Sequence, residues 1–168
     1  MKHRAFLYAA AVLACAAVAI MFSICNNEPK TTPAGQCRLI IRCDTAVVNI
    51  EELDTAKAAY IPEDGLLLDV EKAVFYPGEN AFDVLKRELT AKKMQFEYSK
   101  TPVSGGVYIE GISNLYEFDF GALSGWQFSV NDIFGSEDCS SYKVQNGDII
   151  RFLYTCDLGR DIQGSIFQ

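Results

Sequence analysis

Late in the chain, the stretch from Gly125 to Leu158, GWQFSVNDIFGSEDCSSYKVQNGDIIRFLYTCDL, sets strand-like runs of apolar and polar positions on either side of an Asn-Gly turn. Ser141-Tyr142-Lys143-Val144 alternates strictly, and Ile149-Ile150-Arg151-Phe152-Leu153-Tyr154 is a β-branched and aromatic run. Both predict strands. Asn146-Gly147 between them supplies the positive φ of a tight turn. The stretch reads as a strand, a turn and a closing strand.

Arg38-Leu39-Ile40-Ile41-Arg42 predicts a first strand, and Thr45 to Ala59 mixes apolar and acidic residues with several helix formers. Ile61-Pro62-Glu63-Asp64-Gly65 breaks that segment as a turn, and Leu66 to Tyr76 predicts one or two strands closing at Pro77-Gly78. The clearest helix is Ala81 to Lys93. Asn80 accepts a backbone N–H at its N-cap, Asp83 favours the positive end, and Lys92 and Lys93 favour the other. Phe82, Val84, Leu85 and Leu89 form one stripe for burial, while Lys86, Arg87 and Glu88 face water. Such a stripe belongs to a core, and no ligand is assigned to it. Met94 to Tyr98 and Val107 to Ile112 predict short strands on either side of a Pro102 to Gly106 loop, and Asn114 to Phe120 alternates over a partly exposed surface. One main helix across a mixed sheet, with the first and last strands as parallel neighbours in its middle, is a β-grasp-like α+β arrangement.

The N-terminus sets the compartment. Met1-Lys2-His3-Arg4 is basic, and Ala5 to Cys25 is an uncharged apolar run of about twenty residues, enough to cross a bilayer as a helix. The preferred reading of residues 1–25 is a retained single-span anchor in the cell membrane with everything after Asn26 on the extracytoplasmic side. Cleavage after Ser23-Ile24-Cys25 would release the protein, and Val12-Leu13-Ala14-Cys15 is a poor lipidation signal. Residues 26–36, with Pro29, Pro33 and Gly35, form a short tether, and 37–168 form one domain. From Asn26 onward 13 basic residues stand against 22 acidic ones, a net charge of −9. That surface repels phosphates and anionic head groups, which excludes nucleic acid as a partner and leaves the N-terminal segment as the link to the membrane.

Cysteine usage fits export. Beyond the apolar segment lie Cys37, Cys43, Cys139 and Cys156, an even number in an oxidising space, so the domain is expected to be stapled by two disulfides. Four cysteines allow three connectivities. Cys37 and Cys43 bracket the first strand, about 20 Å apart when extended, and do not bond each other. With the first strand parallel beside the last, the expected pairs are Cys43–Cys156 and Cys37–Cys139. A zinc site would need short paired spacings or nearby histidines, and the one histidine, His3, precedes the apolar segment.

Ser124-Gly125-Trp126-Gln127-Phe128-Ser129-Val130-Asn131, followed by Tyr142-Lys143-Val144-Gln145-Asn146-Gly147-Asp148-Ile149-Ile150-Arg151-Phe152, resembles the transcobalamin-like C-terminal domain family. The resemblance covers Cys37 to Gln168, including Phe75 to Leu85. It implies a β-grasp-like domain and a part in binding cobalamin or another corrinoid. The family's animal vitamin B12 carriers enclose the ligand with a helical barrel for which this chain has no room. A lone domain would present its ligand to a membrane uptake protein or share the site with a partner. The residues that suit such a ligand are Trp126, Phe128 and Asn131, with Gln127 and Tyr142 behind them, because a corrin is a flat apolar face edged with amides. The plain alternative is that Trp126 fills the core and Asn131-Asp132 makes a hairpin turn.

Catalysis has little to stand on: no exported histidine, no G-x-S-x-G, no H-E-x-x-H and no phosphate-cradling glycine loop. Glu137 with Asp138 and Asp157 with Asp161 read as solvated loop carboxylates, and two oxygens are too few for calcium. No catalytic or metal residue is therefore assigned. The rival to ligand capture is a surface module that meets another protein or a wall polymer through Tyr116, Phe118 and Phe120. N-terminal sequencing of protein isolated from membranes is expected to return the uncut start; a mature chain beginning at Asn26 would refute the anchor.

Overall fold

The computed structural model describes residues 32–101, 105–135 and 137–162, so the predicted anchor and most of the tether lie outside the described residues. Among these residues no helix is long and apolar enough to cross a membrane. The elements in chain order are β1 (Gly35–Arg42), α1 (Asp44–Val48), a 3-10 turn (Ile50–Glu52), α2 (Thr55–Ala58), β2 (Leu66–Phe75), α3 (Ala81–Ala91), β3 (Phe96–Lys100), β4 (Val107–Ile112), β5 (Leu115–Tyr116), β6 (Gly125–Val130), β7 (Ile133–Phe134) and β8 (Ile149–Thr155). They build two sheets, one of five strands in the order β2-β1-β8-β6-β7 and one of three in the order β3-β4-β5.

At the centre of the larger sheet β1 and β8 run parallel, Arg38 opposite Ile149 and Arg42 opposite Leu153. Because strand side chains alternate between faces, this register sorts them. Leu39, Ile41, Ile150, Phe152 and Tyr154 face inward and are fully or almost fully buried. Arg38, Ile40, Arg42 and Arg151 face outward. The stripe of α3, formed by Phe82, Val84, Leu85 and Leu89, joins the inner-face residues in one core with Ile109, Ile112 and Leu115 of the smaller sheet. Asn80 and Asp83 exchange backbone bonds in a complete capping box, at 2.8 and 3.0 Å.

Three expectations need correction. The single grasp-like sheet with one main helix is replaced by two sheets, with short helical turns α1 and α2 besides α3. Residues 141–144 form no strand: only Lys143 makes an isolated bridge, to Asn80. Their backbone is committed to the start of α3, where Ala81 N–H donates to Tyr142 O and Val144 N–H donates to Glu79 O.

The third correction concerns sulfur. Cys37, Cys43, Cys139 and Cys156 are four separate thiols, and neither Cys43–Cys156 nor Cys37–Cys139 is bonded. The register accounts for the first pair. Arg42 lies beside Leu153, so Cys43 falls beside Tyr154, short of Cys156, and its Sγ sits 3.5 Å from the Gly65 carbonyl. Cys37 Sγ lies 3.6 Å from Ala73 O on β2, whereas Cys139 Sγ lies against Val107 O of the smaller sheet. The sulfurs of Cys37, Cys43 and Cys139 fill the core as small apolar groups with a weak donor, while Cys156 is half-buried at its edge.

Burial pushes the Cys37 thiol up to about 11 and those of Cys43 and Cys139 to about 12. The unfolded thiols ionise near 9 while the folded ones stay neutral, so this contribution is whole below pH 9 and is lost as pH rises through 11 to 12. Urea midpoints are expected to fall between pH 8 and 10, by on the order of 1 kcal/mol per buried thiol at the upper pH. Cys43→Ala, which leaves nothing to ionise there, should flatten the dependence; a midpoint that rises with pH would contradict it.

Candidate functional site: the outer sheet face and the 131–148 clamp

The five residues that the sequence offers as ligand contacts do not gather in one place: three divide between the two faces of β6, and Asn131 and Tyr142 lie at one end of the larger sheet. On β6, Trp126 and Phe128 pair with Tyr154 and Phe152 on the inner face, and Gln127 pairs with Leu153 on the outer face. Trp126 is 7% exposed, donates its Nε1–H to Leu115 O at 3.0 Å and meets the Tyr154 ring edge-to-face at 5.2 Å. It is a core residue that joins the two sheets. Phe128 is half-buried between the Phe152 and Tyr142 rings, at 5.4 and 6.3 Å. The amide of Gln127 has no hydrogen-bond partner among the described residues.

Asn131 and Asp132 both have positive φ, 50° and 68°, and form the two-residue turn between β6 and β7. Asn131 is spent within the chain: Oδ1 accepts from Ile149 N–H at 2.9 Å and Nδ2 donates to Asp148 Oδ1 at 3.0 Å. Asp148, only 6% exposed, also accepts from Tyr142 Oη–H at 3.0 Å and Gln145 N–H at 2.8 Å. Desolvation, then the bond to Asp148, raises the Tyr142 phenol above its ordinary value. The Asn-Gly turn holds the start of β1 as well, for Gly147 N–H donates to Gln36 O at 2.8 Å and Gln36 N–H to Asn146 Oδ1 at 3.0 Å. Asn131, Tyr142 and Asp148 therefore form a clamp at one end of the sheet. Sequence reasoning passed over Asp148; the signal was a carboxylate one residue after an Asn-Gly turn and before a closing strand.

The open space lies on the outer face of the sheet. A cavity of about 660 Å³ is lined by Arg38, Ile40 and Arg42 of β1, Asp69 of β2, Thr45 and Asn49 at α1, Arg151 of β8 and Asp161. Its volume lies within the usual span of small-molecule sites. Arg38 grips Asp69 through two bonds, 3.0 and 2.6 Å, which hold the carboxyl below its usual range and the guanidinium above its own. Arg42 holds Asp44 at 2.5 Å and donates to the Asp64 carbonyl at 2.7 Å. Arg151 pairs with Asp132. Among the described residues no three His, Cys, Asp or Glu side chains gather as a metal site would require.

A family model described as a domain of unknown function, DUF4430, matches residues 78–155, a little under half of the chain. No curated protein matches the chain in sequence. Among solved structures the fold is similar to haptocorrin in complex with Cbi, a corrinoid, at a TM-score of 0.52 and 14% identity, over 77% of this chain and 26% of that one. The chain thus spans about a quarter of haptocorrin, and the likeness is one of fold alone. A protein of Ruminococcus gnavus ATCC 29149, given a provisional metal-binding description, is similar at a TM-score of 0.44 and 10% identity, over 72% of this chain and 96% of that one.

Removing the acceptor at the clamp is expected to be costly. Asp148→Ala leaves three donors without a partner and should destabilise the fold by on the order of 3 kcal/mol in urea unfolding, against about 1 kcal/mol for Tyr142→Phe. Equal effects would mean that the carboxylate is not the hub.

Proposed function

We propose that this chain is a non-catalytic binding protein displayed outside the cell membrane, or secreted there, that captures a corrinoid-class small molecule such as cobalamin. The observation that carries the reading is the fold shared with haptocorrin, whose structure holds Cbi. The cavity on the outer sheet face supports it, since its size suits part of such a ligand and it opens to solvent. Chemistry on the chain supports capture rather than turnover. The one histidine precedes the apolar N-terminal segment, so no imidazole serves as base or cobalt ligand beside the domain. Cys37, Cys43 and Cys139 hold their protons at neutral pH, and a thiol that stays protonated is a poor nucleophile.

A second reading, a surface that meets another protein, has one observation in its favour. Phe118 and Leu158 are more than half exposed and Leu123 is 42% exposed, and Leu158 N–H donates to Leu123 O at 2.8 Å, which places those two turns together. Of the aromatics expected in such a patch, only Phe118 stands out in solvent, for Tyr116 and Phe120 are half-buried.

Calorimetry and absorbance titration of the full-length protein with cobalamin and with cobinamide should give saturable one-to-one binding at micromolar concentrations. Because no imidazole is offered to cobalt, the corrinoid bands should shift little. Absence of binding heat with both ligands would end the corrinoid reading, and a surface protein recovered by cross-linking at Phe118 would favour the second one.

A further inference from the structure

We infer that the outer face of the five-stranded sheet is where the ligand docks, and that Arg38 and Arg42 grip neutral carbonyl oxygens on the amide edge of a corrinoid. The inference rests on the corrinoid reading above and supplies its site.

The geometry follows from the β1–β8 register. Arg38 and Arg42 lie four residues apart on one strand, about 13 Å along it, with Ile40 between them. Ile40 faces outward yet is 7% exposed, so it forms an apolar floor between two donors. Arg151, opposite Ile40 on the neighbouring strand, lines the same cavity.

The donor count decides what the face can hold. A guanidinium carries five N–H groups in a fixed fork. Arg38 spends Nε and Nη2 on Asp69, and Arg42 spends Nε and Nη2 on Asp44 and the Asp64 carbonyl. For the Nη1 group of either arginine no partner exists among the described residues. Each guanidinium is therefore oriented and still has donors to give.

Charge then selects the acceptor. A phosphate or carboxylate would have to compete with Asp44 and Asp69, which already neutralise the two cations, and would meet their repulsion. A neutral amide carbonyl gains the hydrogen bond without that repulsion. An apolar floor flanked by oriented donors matches a flat apolar macrocycle rimmed with amides. Gln127, beside Leu153 on the same face, has an amide without a hydrogen-bond partner among the described residues. Gln127 is the one residue of the sequence-derived set that falls on this face.

The test uses the full-length protein with cobinamide as probe. Arg38→Gln combined with Arg42→Gln is expected to weaken binding about tenfold or more with the thermal midpoint little changed. Lys86→Ala, on the water-facing side of α3 away from this face, should change affinity less than about twofold. In labelled protein the arginine Nε–H resonances of Arg38 and Arg42 should move on addition of cobinamide, which locates the ligand even if a variant folds poorly. Raising the salt concentration should leave affinity nearly unchanged, because the acceptors are neutral. If the wild type binds while the double variant binds equally and the arginine signals stay in place, the docking face is wrong and the corrinoid reading stands. A steep loss of affinity with salt overturns the neutral-acceptor assignment, and a wild type that binds no corrinoid overturns the reading and the inference together.

Discussion

The parallel pairing of β1 with β8 is the constraint from which the rest of the domain follows. The two strands are far apart in sequence, and their register assigns every side chain between Cys37 and Cys43 to one face or the other. A slip of one residue would turn Arg38, Arg42 and Arg151 into the core and Leu39, Ile41 and Phe152 out of it, a change no small domain survives. The register is pinned at both ends by bonds outside the ladder. Arg38 N–H donates to Asp148 O at 2.8 Å and Gly147 N–H to Gln36 O at 2.8 Å at the first end, and Thr45 Oγ1–H donates to Tyr154 O at 2.7 Å at the other.

With the faces assigned, the inner one must also engage the smaller sheet. Two long aromatic side chains do this with their polar tips. Trp126 donates to Leu115 O, and Tyr154 Oη–H donates to Tyr116 O at 2.7 Å, so adjacent carbonyls of β5 are satisfied by neighbouring strands of the larger sheet. An apolar ring with one donor at its end suits this task, because it fills the space between sheets and leaves no buried polar atom unpaired. The same packing absorbs the cysteines. Cys37, Cys43 and Cys139 each meet a backbone carbonyl from a different strand or loop, which spreads these three sulfurs over the core instead of gathering them in pairs.

Much of this was legible in the residues, and what was not has a physical reason. The cap of α3 is a local device, Asn80 with Asp83, and its buried stripe follows from spacing alone, so both can be read directly. Ser141 to Val144 alternates like a strand, but its backbone groups are claimed by Ala81 in the first turn of α3, by Glu79 just before it and by Asp138, and a short polar-rich alternation carries no sign of such a claim. The division into two sheets was hidden for a similar reason: β3 and β4 read as strands, yet nothing local says which sheet a strand joins. In the candidate site, aromatic and amide residues drew attention because their chemistry suits a corrin. Arg38 and Arg42 read only as the ends of a first strand, since the cavity between them exists only once β2, β8 and α1 are in place.

A site on one open face must obtain affinity differently from an enclosed one. An enclosed ligand is desolvated on all sides, so many weak contacts add up; a ligand lying on a sheet keeps half its surface in water and depends on a few good hydrogen bonds. Long side chains are poor donors in that setting, because an unrestrained arginine gives up about 2 kcal/mol of rotamer freedom when it is fixed. Arg38 and Arg42 are fixed already by Asp69 and Asp44, so that entropy is lost during folding and not again on binding. The carboxylates that appear to use up the two cations are thus what makes them effective donors on an exposed face, and by removing net charge they also turn the face away from anions.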